Sequence, residues 1–389
     1  MKAGTAASIF QTQTIGLEET GAGQPVRSDR LRLPRAGTST RQSKTPEAGM
    51  RVLINGFGRI GRTVLRAWAR ERRVAGMQSA AAAPWPEIDL VAVNDIAPAE
   101  TCAHLFEYDS VFGPFDQRVA LDGGALIVGP HRLRLTHEPD IARLDLRDID
   151  LVMECTGQAE RQEEATRGLR AGARRVLISG PSAAAEITVV FGANESGLDP
   201  AHRLISNASC TTNALAPLAR LIDRAWGLES GWMTTIHCYT GSQPTVDAPR
   251  GADLARARAA ALSIVPTTTS AGRLLDVVLP ELAGRLACSA VRVPTASVSA
   301  VDLCVMTRQP VDVASANALM REAGGVIGWT DRPLVSTDLR ARPESVVMAL
   351  RETALTAGGM LRVFGWYDNE WGFSCRMLDM AQRIGRLSD

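Results

Sequence analysis

At 389 residues, with 45% hydrophobic and 22% charged side chains, the chain has the composition of an ordinary globular protein with room for about two or three domains. A formal net charge of +1 gives no electrostatic case for nucleic acid or an anionic membrane surface, and no apolar run reaches the length of a bilayer-spanning helix. Seven cysteines without a CxxC pair, and five histidines without close ligand spacing, point to reduced cytosolic thiols rather than a disulfide framework or metal site.

Residues 1–49 are rich in Gly, Ser, Thr, Pro and Arg and hold both lysines, Lys2 and Lys44. No lasting apolar period runs through them, so the segment reads as a disordered extension or as a misassigned start, with translation beginning at Met50. A secretory signal is excluded by the short apolar stretch 6–9, and a transit peptide is weakened by Glu18, Glu19, Asp29 and Glu47.

A buried strand over 51–54 is followed at once by Asn55-Gly56-Phe57-Gly58-Arg59-Ile60-Gly61, and a helical pattern then runs through Val64, Leu65 and Trp68. This is GxGxxG after a strand and opening a helix, the context a dinucleotide site requires. Gly56 permits the tight turn, Gly58 lets a pyrophosphate approach the backbone, and Gly61 lets helix pack on strand. The next strand, 88–93, ends at Asn94-Asp95. Asp95 is the acid expected to hold the adenine-ribose hydroxyls, displaced beyond the usual ~20-residue spacing by an Ala-rich loop over 75–86. Further strands are predicted over 126–128, 133–136, 151–155, 176–179 and 189–191, with a crossover helix over 162–171. Thr156 and Ser179 close two of these strands and so border the cofactor crevice.

Asn207-Ala208-Ser209-Cys210-Thr211-Thr212-Asn213 precedes a helix marked by Leu215, Leu218, Leu221 and Ile222. A thiol on the first turn of a helix feels the partial positive charge of unpaired N–H groups, which favours the thiolate and suits covalent catalysis. A buried packing cysteine is the plainer alternative. Beyond it the alternation changes: strands are predicted over 231–239, from 291 to 293, over 298–306 and over 361–366. Helices are predicted over 254–261, 312–323 and 373–384. Long strands with few crossovers suggest an α+β domain. His237, at the end of its strand, is the natural base for Cys210. The fold expected is α/β: an N-terminal Rossmann dinucleotide-binding domain over 50–209 and an α+β catalytic domain over 210–368. Residues 369–389 form a C-terminal helix returning to the first domain.

From Met50 to near its C-terminus the chain resembles the phosphorylating glyceraldehyde-3-phosphate dehydrogenase family. The stretches that carry the resemblance are NGFGRIGR, ECTG, SNASCTTN, HCYTGSQPTVD, LARARAAALSIVPTTT, RVPTASVSAVDL and WYDNEWGF. It implies Cys210 as acyl-forming nucleophile and His237 as base, then acid, with the Cys210 N–H helping to hold the oxyanion. It also implies sites for the phosphate of an aldose phosphate and for inorganic phosphate, built from Ser209, Thr211, Thr240, Arg258, Thr269, Ser270 and Arg292. Arginine grips phosphate in two prongs while hydroxyls complete the cradle. Asn369 is expected at the nicotinamide carboxamide, with Gly56, Gly58, Arg59, Ile60, Gly61, Asp95, Thr156 and Ser179 completing an NAD site and no metal required. A cytoplasmic homotetramer is implied as well.

The chain departs from the family pattern at Ala214 (usually cysteine), Ser242 (aspartate in many bacterial relatives), Ser270 (glycine), Phe373 (tyrosine) and the stretch 345–348. These bear on substrate and efficiency more than on fold. Asp95 repels a 2′-phosphate and Pro249 matches NAD-specific relatives, whereas Ala248 matches dual-specificity forms; NAD is expected to be preferred, with NADP use left open. Two other readings compete: a hydrolytic erythrose-4-phosphate dehydrogenase, and a non-catalytic NAD-binding paralogue.

Overall fold

A computed structural model of the chain describes residues 49–78, 84–249 and 253–387; the expected extension over 1–49 lies, apart from its last residue, outside them. Strand β1 (Met50–Asn55) runs into α1 (Arg59–Gln78), and β2 (Ile88–Asn94) leads to α2 (Ala99–Glu107). A three-strand meander follows: β3 (Val119–Asp122), β4 (Ala125–Val128) and β5 (His131–Thr136). Next come β6 (Leu151–Glu154), the short helices α3 (Gln162–Ala165) and α4 (Arg167–Arg170), then β7 (Arg175–Ile178), β8 (Ile187–Thr188) and β9 (Leu204–Ser206). Among the described residues these strands form one nine-stranded sheet in the order β3-β4-β5-β2-β1-β6-β7-β9-β8. It is parallel from β5 to β8, and β1 pairs with β2 on one side and β6 on the other. The strand order therefore reverses at β1, and the crevice at such a switch point is where parallel α/β sheets bind ligands.

Helix α5 (Cys210–Trp226) leads into the second half. Strands β10 (Leu228–Cys238) and β11 (Val265–Thr267) are followed by α6 (Ala271–Val278), β12 (Leu286–Val293) and β13 (Ser299–Thr307). Then come α7 (Val313–Glu322), β14 (Ile327–Thr330), β15 (Val346–Ala349), β16 (Ala354–Leu355), β17 (Leu361–Tyr367) and α8 (Trp371–Gly385). The described strands of this half make a mostly antiparallel sheet, β11-β12-β10-β13-β17-β15-β14, with β16 on β17. Leu215, Leu218 and Ile222 of α5 share a core with Met233 of β10 and Val301, Leu303 and Val305 of β13. Helix α8 crosses back: Met377, Leu378, Ala381 and Ile384 pack with Val52, Leu65 and Trp68. Its first turn is capped by Asp368, whose Oδ1 accepts from the N–H groups of Glu370 and Trp371.

Several expected elements differ. The strand expected over 189–191 is Ile187–Thr188 instead. Val189 N–H still donates to the Ser206 carbonyl of β9, but Val190 N–H donates to the Asn194 side chain and the chain turns at Gly192, φ 80°, so the ladder stops before Val190. The helix expected over 254–261 is a single 3-10 turn, Leu254–Ala257. Asp247 Oδ1 takes the N–H of Ala259 and Pro244 the N–H of Ala260, which draws the chain off the helical path. The crossover helix over 162–171 breaks at Thr166, whose hydroxyl bonds back to the Gln162 carbonyl. Helix α1 continues through Gln78, over the first residues of the loop expected over 75–86; residues 79–83 of that loop lie outside the described residues.

Candidate active site

The crevice floor is built from strand ends. Gly56, at φ 90°, could not carry a Cβ, which would stand 2.7 Å from the Thr156 nitrogen. A Cβ on Gly61 would lie 2.1 Å from the Gly56 carbonyl oxygen, so this glycine is what lets α1 start so close to β1. A Cβ on Gly58 would meet nothing within 4 Å. That contrast fits a dinucleotide: two glycines serve the backbone, and the third opens space beside the first-turn N–H groups of Arg59 and Ile60. Asp95 directly follows β2, its carboxylate held by the N–H groups of Phe57 (2.6 Å) and Ala97 (2.9 Å), and each oxygen keeps lone-pair capacity for a ribose hydroxyl. Thr156 is exposed at the end of β6, and Ser179 follows β7 with its N–H on the Glu154 carbonyl. The Arg59 side chain is not free for the cofactor. It pairs with Asp109 and Glu370; burial opposes its charge, but the two carboxylates outweigh burial and raise its pKa.

A buried network that sequence reasoning missed stiffens this floor. Asn94 Nδ2 donates to Asn55 Oδ1 (2.9 Å), Asn55 Nδ2 donates to Glu154 Oε2 (2.6 Å), and Glu154 Oε1 accepts from the Thr156 N–H (2.9 Å). The three residues end β2, β1 and β6, and their only signal in sequence is a polar residue closing each apolar strand.

Cys210 stands at the first position of α5. Ser209 is the cap, its Oγ accepting from Thr212 N–H at 3.1 Å, and Ala208 makes the tight entry with φ 55°. Cys210 Sγ lies 3.7 Å from His237 Nε2. His237 Nδ1 is 2.7 Å from the Cys238 carbonyl; a carbonyl only accepts, so Nδ1 carries the hydrogen and Nε2 offers its lone pair to the thiol. Burial is the largest influence on both groups. It pushes the Cys210 thiol up, against hydrogen bonds from Thr211 and the charge of Arg292, and it pulls His237 down to about 4, with Arg292 adding to the fall. The helix terminus acts on the thiol in the same sense as Arg292. The resting pair is thus a neutral imidazole facing a thiol, with Arg292 disfavouring a charged imidazolium and favouring a thiolate.

Strand register explains the arginine. His237 of β10 lies directly opposite Arg292 of β12, which lies opposite Val265 of β11. Arg292 Nη1 donates to Thr240 Oγ1 at 2.8 Å, and Thr240 Oγ1 is 3.0 Å from Ser242 Oγ. Because a guanidinium only donates, the Thr240 hydrogen is directed to Ser242. Ser242 is thereby linked to Arg292 through Thr240.

The other expected anion-site residues are distributed differently. Thr211 Oγ1 is buried against Tyr367 Oη at 2.9 Å, and Thr235 Oγ1 holds the same phenol at 2.7 Å. Thr269 Oγ1 accepts from Ala271 N–H, and Ser270 caps α6 without a side-chain cap bond. Arg258 is exposed and paired with Asp247 at 2.9 Å. Its neighbour Arg256 is likewise exposed and paired, with Asp253 at 3.0 Å; it also bonds Thr267 Oγ1 (2.6 Å) and Thr268 Oγ1 (3.0 Å), and its charge is felt at Arg292. Asn369 sits between β17 and α8, its Oδ1 accepting from Cys238 Sγ and Ser299 Oγ.

Comparison with known proteins agrees with this geometry. Residues 50–162 match the family model described as glyceraldehyde 3-phosphate dehydrogenase, NAD binding domain, and residues 209–369 match the model described as its C-terminal domain. The chain is 44% identical over 345 residues to a glyceraldehyde-3-phosphate dehydrogenase of Xanthobacter flavus, covering 87% of this chain and 99% of that one. It is 44% identical over 343 residues to one from Cereibacter sphaeroides (87% and 99%) and 43% identical over 343 to one from Geobacillus stearothermophilus (86% and 98%). NAD is therefore the cofactor the first domain is built for. The chain belongs to the glyceraldehyde-3-phosphate dehydrogenase family.

Proposed function

We propose that the chain oxidises glyceraldehyde 3-phosphate to 1,3-bisphosphoglycerate, with inorganic phosphate as acceptor. The observation that carries this reading is Cys210 Sγ at 3.7 Å from the acceptor nitrogen of His237, with the Arg292–Thr240–Ser242 cluster alongside. As sulfur adds to the aldehyde carbon, His237 Nε2 takes the thiol proton. The carbonyl electrons move onto oxygen, where the free N–H groups of the α5 first turn, including that of Cys210, meet the charge. NAD, when bound, supplies the hydride acceptor. Loss of hydride from the hemithioacetal carbon leaves an acyl thioester on Cys210. Inorganic phosphate attacks its carbonyl, the C–S bond breaks, and His237 returns the proton to sulfur. Arg292, Thr240, Arg258 and its neighbour Arg256 are suited to hold the two phosphates, and Asn369 to contact the nicotinamide carboxamide.

Asp95, with its charge at the ribose end of the crevice, supports NAD over NADP. Association of copies into a homotetramer is supported by a sheet face bearing Trp232, 55% exposed, with the half-buried Ile236 and Trp366, in register through Ala300, farther along the same strands. No helix among the described residues is long and apolar enough to cross a membrane, in keeping with a cytoplasmic enzyme.

One assay separates the competing readings: purified protein and NAD with each aldose phosphate, with and without inorganic phosphate. Phosphate-dependent NADH formation from glyceraldehyde 3-phosphate supports the proposal. Phosphate-independent turnover of erythrose 4-phosphate points to the hydrolytic relative, and no turnover to a binding paralogue.

A further inference from the structure

Asn369 is anchored in a way that goes beyond the contact proposed for it. The backbone N–H of Cys238 donates to Ser299 Oγ at 3.1 Å. A backbone amide can only donate, so the Ser299 hydrogen is left free, and Asn369 Oδ1 lies 3.2 Å from Ser299 Oγ. Cys238 Sγ donates to the same oxygen at 3.1 Å. Cys238 and Ser299 are both wholly buried, and burial pushes the Cys238 thiol up to about 12, so it remains a donor across the working pH range. With hydrogens arriving from two sides, the atom facing them is the carboxamide oxygen and the N–H2 group faces away. That nitrogen has no protein partner among the described residues, yet it is absent from the buried, unsatisfied atoms.

We propose that the Cys238 thiol and the Ser299 hydroxyl are positioning residues that lock the rotamer of Asn369, presenting its N–H2 group, already oriented, to the carboxamide of bound nicotinamide. The inference rests on the cofactor contact proposed for Asn369. Without the clamp the carboxamide can rotate about its terminal torsion, whose two-fold minimum is broad, and part of the binding energy is lost to ordering it. Neither side chain touches substrate.

The test is NAD affinity by fluorescence titration of the full chain, with KM for NAD, kcat, and the rate of Cys210 alkylation by iodoacetamide without NAD. Cys238→Ala and Ser299→Ala should each weaken NAD binding about three- to tenfold, the worth of one buried hydrogen bond, while alkylation keeps its wild-type rate. Cys238→Ser keeps a donor and should restore affinity. In an Asn369→Ala background, Cys238→Ala should weaken binding no further. Unchanged NAD affinity in Cys238→Ala, or a Cys238→Ser as weak as Cys238→Ala, overturns the clamp while Asn369→Ala still impairs binding. Unchanged affinity in Asn369→Ala instead overturns the underlying cofactor contact, and the clamp with it.

Discussion

The three glycines of the first loop should respond differently to the same methyl group. Gly61→Ala places a Cβ 2.1 Å from the Gly56 oxygen and 3.0 Å from Ile54 Cγ2, both fixed by the sheet. Relief requires α1 to move off β1, an overpacking cost of about 1–3 kcal/mol or more. Gly56→Ala adds ~1–2 kcal/mol for a left-handed alanine to a 2.7 Å clash with Thr156 N. Gly58→Ala meets no protein atom within 4 Å, so its fold should be intact and its fault should lie in cofactor approach. At ~2–4 °C of Tm per kcal/mol for a domain of 150–250 residues, the first two variants should melt several degrees early, and Gly58→Ala within about a degree of wild type. Calorimetric titration should show NAD affinity reduced in Gly58→Ala about tenfold or more, the ~1.4 kcal/mol equivalent. A Gly58→Ala that melts as early as Gly61→Ala and binds NAD normally would refute this division of roles.

Other substitutions test other links. His237→Asn should lower kcat about 10²- to 10⁴-fold, as loss of a general base does. With the imidazole pulled down to about 4, its neutral form is present above that value and lost only below it. kcat/KM should therefore show no limb near pH 6.5, and such a limb, absent in His237→Asn, would contradict the assignment. Arg256→Ala should raise KM for the aldose phosphate or phosphate about 10- to 100-fold, the worth of a charged hydrogen bond. Arg258→Ala should raise it as well, because an exposed pair with Asp247 holds the guanidinium only weakly against a phosphate; an unchanged KM in either variant by steady-state kinetics would remove that arginine from the cradle. Tyr367→Phe leaves the Thr211 and Thr235 hydroxyls without their shared partner and should cost about 1–3 kcal/mol in denaturant unfolding, with an unchanged midpoint as the contrary result.

The features legible in sequence were those with local physical signatures. GxGxxG between strand and helix carries its own geometry, and Ser209-Cys210 before an apolar helix is a cap followed by a first turn. The illegible features depend on distant partners. Arg256 and Arg258 are indistinguishable by type or spacing, and only the folded loop shows that Arg256 pairs with Asp253 and Arg258 with Asp247, eleven residues before it. Val189 and Val190 look alike in sequence because burial leaves the same apolar mark whether the N–H meets a strand, as at Val189, or a side chain, as at Val190. The alanines after Leu254 favour helix by propensity, but Asp247 and Pro244 claim the backbone donors first. Cys238 and Ser299 offered no signal until the ends of β10, β13 and β17 were brought together at Asn369.

The most direct test of the central claim is the covalent state of Cys210. Incubated with glyceraldehyde 3-phosphate and NAD but no inorganic phosphate, the protein should gain one acyl group by intact mass spectrometry, mapped to the peptide bearing Cys210 and discharged when phosphate is added. Cys210→Ser should show neither adduct nor turnover while still binding NAD. An adduct elsewhere, or undiminished turnover in Cys210→Ser, would contradict the account.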